Sequence, residues 1–247
     1  MASRTPPAAC ARPSTASPVT IKKAAARRRL IQSQILTAAA DLFRVRGYRA
    51  TTLDDLAGRL GVSKATLYGY FPSKEDLLAA IFHRTMTLVE EGLRAIERRG
   101  APPAEQLRQV IRHQVRTVVA ERSFLTVFFG EEPNLPARLA RSIARRKAGY
   151  DRAVQRIVER GVRSGAFDVR EPRLLVWALL GMSNWVYRWY NPAGAWDADA
   201  IADAFIALLE PGYLAGHAPA SDLASRVSRL ERRVAGRDRP RPGKRRR

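Results

Sequence analysis

The 247-residue sequence has a single cysteine, Cys10. One thiol excludes an internal disulfide and any metal site built from several cysteines. Histidine is almost as scarce. His83, His113 and His217 are the only three, and none stands at a metal-ligand or catalytic-triad spacing. No Gly-rich loop able to cradle a phosphate is present, and the neighbouring carboxylates Glu131 and Glu132 point apart at a helix end. The sequence therefore offers no catalytic, metal or cofactor residues, and the expectation is a protein that is not an enzyme. Long apolar runs are missing too. No stretch of 18 apolar residues exists, so no transmembrane helix and no membrane partner are expected. The N-terminus lacks the apolar run of a secretory signal, which points to the cytoplasm. Finally, no segment alternates β-branched or aromatic residues with polar ones, which leaves an all-α chain as the expected fold class.

What is abundant is positive charge, +21 overall. Residues 1–50 hold ten basic and one acidic residue, and residues 221–247 hold eleven and three, so the middle of the chain is nearly ordinary. Basic ends suit a polyanion such as DNA, with a solvated or membrane-surface tail as the alternative.

The helical period divides the chain. Residues 1–20 are rich in Pro, Ala, Ser and Thr, and together with Lys22, Lys23, Arg27 and following basic residues they read as a disordered basic arm over 1–27. A DNA-reading module is expected over 28–73. Its first helix, from about Arg28 to Arg46, carries Ile31, Ile35, Ala38, Leu42 and Val45 on one face and stops at Gly47. Thr52 and Asp55 can form a capping box for a second short helix ending near Leu60. After the turn Gly61-Val62, Ser63 caps a third helix running to about Phe71. Ser73 then caps a long fourth helix to about Arg98. A helical domain is expected over 74–214, with helices near Ala104–Glu121, Ala137–Arg163, Pro172–Tyr190 and Asp197–Leu209 around a short apolar cluster at 124–129. Residues 215–247 read as a basic tail with a brief heptad-like stretch at Leu223, Val227, Leu230 and Val234, too short for a coiled coil by itself.

Two short helices, a tight turn and a slim second helix meet the needs of a helix-turn-helix. Leu53, Leu56, Ala57 and Leu60 would make the buried face of the first helix. Gly61 permits positive φ in the turn, while Val62 and Leu67 would pack inward. That leaves Lys64, Ala65, Thr66, Tyr68, Gly69 and Tyr70 facing outward or sideways. The short side chains of Ala65 and Gly69 allow close approach to base edges and backbone.

The run from Gly61 to Leu78, GVSKATLYGYFPSKEDLL, closely resembles the TetR family of bacterial regulators, and Ala40-Asp-Leu-Phe43, Gly47-Tyr48 and Thr51-Thr52 fall in register with it. The resemblance spans about fifty residues and implies an N-terminal three-helix module with a helix-turn-helix and a C-terminal helical domain for ligand binding and dimerisation. It implies that Thr52 and Lys74, each at a helix start, touch phosphates. It places Ser63, Lys64, Ala65 and Thr66 nearest the bases, with Tyr68 and Tyr70 against backbone and sugar, and Phe71 as hinge packing. Gly69 departs from the family, which more often has His or another side chain there.

The family pairs its last two long helices across a two-fold axis, so a homodimer on double-stranded operator DNA is implied. The region Leu180–Gly194, with Phe128–Glu131 and Arg145–Tyr150, further resembles a subgroup that answers to coenzyme A thioesters. An acyl-CoA effector would need a long apolar tunnel and cations for its phosphates. Tyr150, Trp177, Asn184 and Trp185 are the candidate walls, and Arg145, Arg146, Lys147 and Arg188 the candidate cations. Core or dimer packing is the competing role for the tryptophans, and a solvated face for the arginines. The expected function is a ligand-relieved repressor, with an activator of the same fold, or an interaction adaptor without DNA binding, as alternatives.

Overall fold

A computed structural model describes residues 18–216. They form α1 (Pro18–Arg46), α2 (Leu53–Leu60), α3 (Lys64–Tyr68), α4 (Lys74–Arg98), α5 (Pro103–Ala120), α6 (Arg122–Gly130), α7 (Ala137–Arg163), α8 (Pro172–Trp189) and α9 (Ala198–Tyr213), with a 3₁₀ turn at Glu132–Asn134. Among the described residues the only extended pairing is a single antiparallel bridge between Phe167 and Leu214. They fall into two compact units that divide after Leu77, one turn into α4. The heptad-like stretch at 223–234 and Cys10 lie outside the described residues.

In the first unit, α1 begins ten residues earlier than the apolar pattern suggests. Residues 18–27, expected as part of an irregular arm, are helical because Ala24, Ala25 and Ala26 are the best of helix formers and their basic neighbours cost little. An apolar stripe cannot reveal such a segment, since from Lys22 to Leu30 it is exposed all round. The buried line of α1 also differs from the expected one. Ile35, Ala39, Leu42 and Phe43 face inward, while Val45 is 70% exposed. Phe43 instead meets Tyr48 edge-on at 5.1 Å, closing the turn after Gly47.

The start of α2 is fixed by a complete capping box. The Asp55 backbone N–H donates to Thr52 Oγ1 (3.1 Å), while the Thr52 N–H and hydroxyl donate to Asp55 Oδ2 (2.8 and 2.6 Å). Those two donors hold the Asp55 carboxyl below its usual range, with Arg46 adding a smaller attraction. A depressed carboxylate stabilises the fold above its unfolded pKa and ceases to do so as pH falls through the folded value. Thr52→Ala removes the N-cap side chain, a change that generally costs about 1 kcal/mol, and should destabilise the first unit at neutral pH. Urea melts at decreasing pH should show the wild type and this variant converging as Asp55 protonates.

In the second unit, α5 is the central strut, contacting α6, α7, α8 and α9. Its buried side, Leu107, Val110, Ile111, Val115 and Val118, contains the stripe read from the sequence. Its other side carries arginines at a four-residue spacing. Arg108, Arg112 and Arg116 pair with Glu210, Asp203 and Asp199, an antiparallel ladder that clips α9 onto α5. Helix α9 runs past Leu209 and through Pro211 to Tyr213, whose ring is fully buried. A proline in a last turn forfeits one hydrogen bond, and docking of Tyr213 against Phe167 at 5.1 Å offsets it.

Candidate nucleic-acid interface and ligand cavity

The first unit builds a surface around α3. Gly61 ends α2 at φ +64°, and the Val62 N–H then donates to Ala57 O at 3.1 Å, so the chain reverses within two residues. Val62 does not pack inward as expected. At 37% exposure it lies at the rim of the turn, because the left-handed turn spends its inward direction on Leu67, which is fully buried. Ser63 caps α3 by accepting from the Thr66 N–H at 3.1 Å, and the hydroxyls of Ser63 and Thr66 are 2.9 Å apart. The helix ends at Tyr68, three residues sooner than expected, as the Tyr70 and Phe71 N–H groups both fold back to Leu67 O. Phe71 is buried in that hinge.

The outcome is an exposed leading face. Ser63, Lys64, Ala65 and Thr66 all stand in solvent, as do Tyr68 and Gly69, while Tyr70 is half-buried. The Lys64 ammonium rests on Asp54, an exposed partner that a phosphate can displace. Thr52 is exposed, and its hydroxyl serves the capping box. Lys74 is placed differently from its neighbours. Its ammonium donates to the carbonyls of Tyr48 and Thr51 at 3.0 Å and of Arg49 at 3.4 Å, and sits 4.5 Å above the Tyr48 ring. Its three donors thus hold together the turn before α2 and the start of α4. Arg28, one of the basic residues that lead into the module, donates to Gly69 O at 3.1 Å and covers the Tyr70 ring at 5.2 Å, a contact that spacing could not reveal.

In the second unit, α4, α5, α6, α7 and α8 leave a cavity of about 60 Å³ among Met86, Val89, Leu125, Phe128, Leu180 and their neighbours. Three polar side chains link across it. The buried Tyr150 hydroxyl donates to Gln114 Oε1 at 3.0 Å, and Gln114 Nε2 donates to Asn184 Oδ1 at 2.6 Å. Burial pushes the Tyr150 phenol well above its usual pKa, so it is a neutral donor at any physiological pH. Burial likewise raises the Asp151 carboxyl at the cavity edge, against the pull of Lys147 and two arginines.

Of the eight candidate ligand residues, this cavity gathers Tyr150, Asn184 and Lys147. Arg146 lies instead on Glu90, bidentate at 2.8 and 2.9 Å, tying α7 to α4. Lys147 reaches Glu132 at 2.9 Å. Trp177, Trp185 and Arg188 are exposed on the far side of α8, since Val176, Leu179, Leu180, Ser183 and Val186 take its inward positions. At about 60 Å³ the cavity is far smaller than the roughly 300–1,000 Å³ of a ligand pocket, so no long apolar tunnel for an acyl chain is open there. Gln114, Thr85 and Asp151 are lining residues that sequence reasoning missed. Polar residues on otherwise apolar helical faces were the available signal.

A second, open groove of about 550 Å³ runs between α7 and α8, lined by Arg152, Gln155, Arg156, Arg173 and Trp177 among others. Asp151 borders both spaces. The Arg173 guanidinium lies 4.5 Å over the Trp177 ring. The outward face of α8 is a continuous stripe, Leu174, Trp177, Ala178, Gly181, Trp185 and Trp189, at the three- and four-residue steps of a helix seam. On α9, Ala200, Ala204, Ala207 and Leu208 make a matching exposed line. No ionisable cluster suited to a metal ion is found among the described residues, and no helix among them is long and apolar enough to cross a membrane.

Comparison with known proteins bears on both units. Residues 35–81 match the model of the bacterial regulatory proteins of the tetR family, and residues 100–212 match a tetracyclin repressor-like C-terminal domain. The HTH-type transcriptional repressor KstR2 of Rhodococcus jostii is 26% identical over 188 residues, covering 75% of this chain and 92% of that protein. The solved structure of PfmR, a TetR family regulator from Thermus thermophilus, is 34% identical, with TM-score 0.66, covering 71% of this chain and 96% of that one. AibR, solved in complex with isovaleryl coenzyme A and operator DNA, is 29% identical, with TM-score 0.66 and coverage of 72% and 96%.

Proposed function

Because this chain belongs to the TetR family of bacterial regulatory proteins, we propose that it is a homodimeric transcription repressor, acting in the cytoplasm, that releases its operator on binding an acyl-coenzyme A effector. The observation that carries the reading is the division of labour within α3. Leu67 is fully buried and fixes the helix, while Ser63, Lys64, Ala65 and Thr66 stand exposed at its capped leading end, the end that reads base edges in a helix-turn-helix. Thr52 before α2, and Tyr68 and Tyr70 at the trailing end of α3, suit phosphate and sugar contacts, which position the protein without specifying sequence. Gly69 gives the backbone room to approach. Lys74 acts from behind, by holding the carbonyls of residues 48–51.

The α8 and α9 stripes suit a two-fold interface, since large exposed apolar patches mark association surfaces. A symmetric dimer presents two copies of α3, and operator binding needs them one helical turn apart, about 34–36 Å. An effector lowers DNA affinity only if it binds more tightly to a conformation with a different spacing. Apolar side chains at the cavity, Met86, Phe128 and Leu180, would give way to an acyl chain, and Asn184 offers amide donors to a thioester oxygen. The coenzyme A phosphates find their cations in the α7–α8 groove, at Arg152, Arg156 and Arg173, since Arg146 and Lys147 are already paired. On this reading the thioester is bound and returned intact.

Thermal unfolding with a panel of acyl-CoA thioesters tests this. A saturating effector at a hundred times its Kd should stabilise the protein by about 2.7 kcal/mol, and the same compound should dissociate it from operator. Tyr150→Phe, which strands Gln114, should weaken that effector by roughly fivefold to tenfold while leaving operator affinity intact. A panel in which no thioester stabilises the protein would remove coenzyme A from the account, and turnover of any thioester would replace it with an enzyme.

A further inference from the structure

Arg28 belongs to a run of basic residues whose composition suits a polyanion, with a solvated tail as the alternative. Its guanidinium is nonetheless anchored, donating to the carbonyl of Gly69 and lying over the ring of Tyr70. Gly69 is the C-cap of α3, where the helix dipole attracts a cation. The first helix therefore grips the far end of the helix proposed to read DNA. That helix has five residues and is only about 7.5 Å long. Anything fixed to one end of it is close to any duplex held at the other.

Lys22 stands six positions before Arg28, a span of about 9 Å on a continuous helix. At 100° per residue Arg28 shares the face of buried Ile35, so Lys22 and Arg29 fall on one flank and Lys23 and Arg27 on the other. All four are exposed, and no carboxylate among the described residues pairs with them. Four uncompensated cations held near a five-residue recognition helix are costly to place together unless a polyanion neutralises them.

We propose that the N-terminal part of α1 is a helical phosphate clamp. Anchored through Arg28 to the end of α3, it applies Lys22, Lys23, Arg27 and Arg29 to the sugar-phosphate backbone flanking each half-site. The inference rests on the DNA-binding reading and adds to it a source of affinity that carries no sequence preference. Arg28 is a positioning residue, and the four other cations make the contacts.

The test is a salt titration of duplex binding, using a binding site selected from random-sequence duplexes and a scrambled duplex of equal length. The variants are full-length protein with Lys22, Lys23, Arg27 and Arg29 all changed to Gln, and separately Arg28→Gln and Arg28→Lys. Four lost contacts per protomer, eight in the dimer, would flatten the slope of log affinity against log salt by about 7. The quadruple variant should show this on both duplexes, with affinity at 0.1 M salt down at least tenfold and base preference unchanged. Arg28→Gln should flatten the slope in part although all four cations remain, and Arg28→Lys should restore it. An unchanged slope in the quadruple variant overturns the clamp while leaving operator binding by α3 standing. Wild-type protein that binds neither duplex overturns the DNA-binding reading itself. A quadruple variant that loses binding to phosphatidylglycerol vesicles but keeps its DNA slope overturns the clamp in favour of a membrane surface.

Discussion

Gly181→Arg is expected to convert the protein from dimer to monomer and to weaken operator binding at least a hundredfold. Gly181 lies at the centre of the outward stripe of α8, between Trp177 and Trp185, with nothing within 4 Å of an added Cβ in the single chain. The substitution is therefore harmless to the folded protomer and acts on association alone. Covering each exposed indole stabilises a dimer by roughly 2 kcal/mol, and three of them, Trp177, Trp185 and Trp189, flank this position. Two-fold symmetry brings the same glycine from both copies toward the seam, so one substitution places two guanidiniums in an apolar contact. A monomer must bind each half-site independently and loses the millimolar effective concentration that the linked partner supplies. Sedimentation velocity and gel shifts on paired and single half-sites measure both consequences. A variant that remains dimeric, or a monomer that binds the paired site as tightly as wild type, would dissociate the α8 stripe from function.

The largest expected effect on stability is at Gly161. Here α7 passes beneath the ring of Phe167, and a Cβ would lie 2.1 Å from Phe167 Cδ2. Phe167 is nearly fully buried and stacks edge-on against Tyr213, while the Asp168 N–H donates to Tyr213 O at 2.9 Å and the Ala215 N–H to Ala166 O at 3.0 Å. Displacing the ring thus undocks the end of α9 as well as opening the core. Gly161→Ala should cost about 3 kcal/mol, the upper end for overpacking, and lower Tm by roughly 6–12 °C for a chain of this size. Gly149→Ala, on the same helix with nothing within 4 Å, is the control. It should be neutral or stabilising by up to about 1 kcal/mol. Calorimetry of the two variants side by side separates close packing from helix propensity, and equal melting temperatures would show that the Phe167 ring moves aside freely.

Much of the first unit was legible because its signals are local. The capping box of Thr52 and Asp55, the left-handed Gly61, the Ser63 cap and the stop at Gly47 each depend on residues within a few positions of one another, and spacing reveals them. The extension of α1 to Pro18 was hidden because alanine and arginine favour a helix without leaving an apolar stripe. Val62 was misplaced because the turn geometry, rather than its hydrophobicity, decides which way it faces. In the second unit the helices were readable from their stripes, but the direction of α8 was not. A helix apolar nearly all round gives no cue to which side meets α5, so spacing could not show that Trp177 and Trp185 face away from the cavity around Tyr150, Gln114 and Asn184, with Trp177 bordering the α7–α8 groove. The pairing of Arg146 with Glu90 joins residues 56 positions apart, beyond any periodicity.

Selection of bound duplexes from a random-sequence pool, followed by footprinting of the enriched site, tests the account most directly. The leading face of α3, presented twice by a symmetric dimer, should enrich an inverted repeat whose half-sites are centred about one turn apart or a multiple of it. Protection should fall on one side of the duplex, and Thr66→Ala together with Lys64→Ala should abolish the enrichment without unfolding the protein. A pool that stays random, or an enriched motif without internal symmetry, would contradict the account.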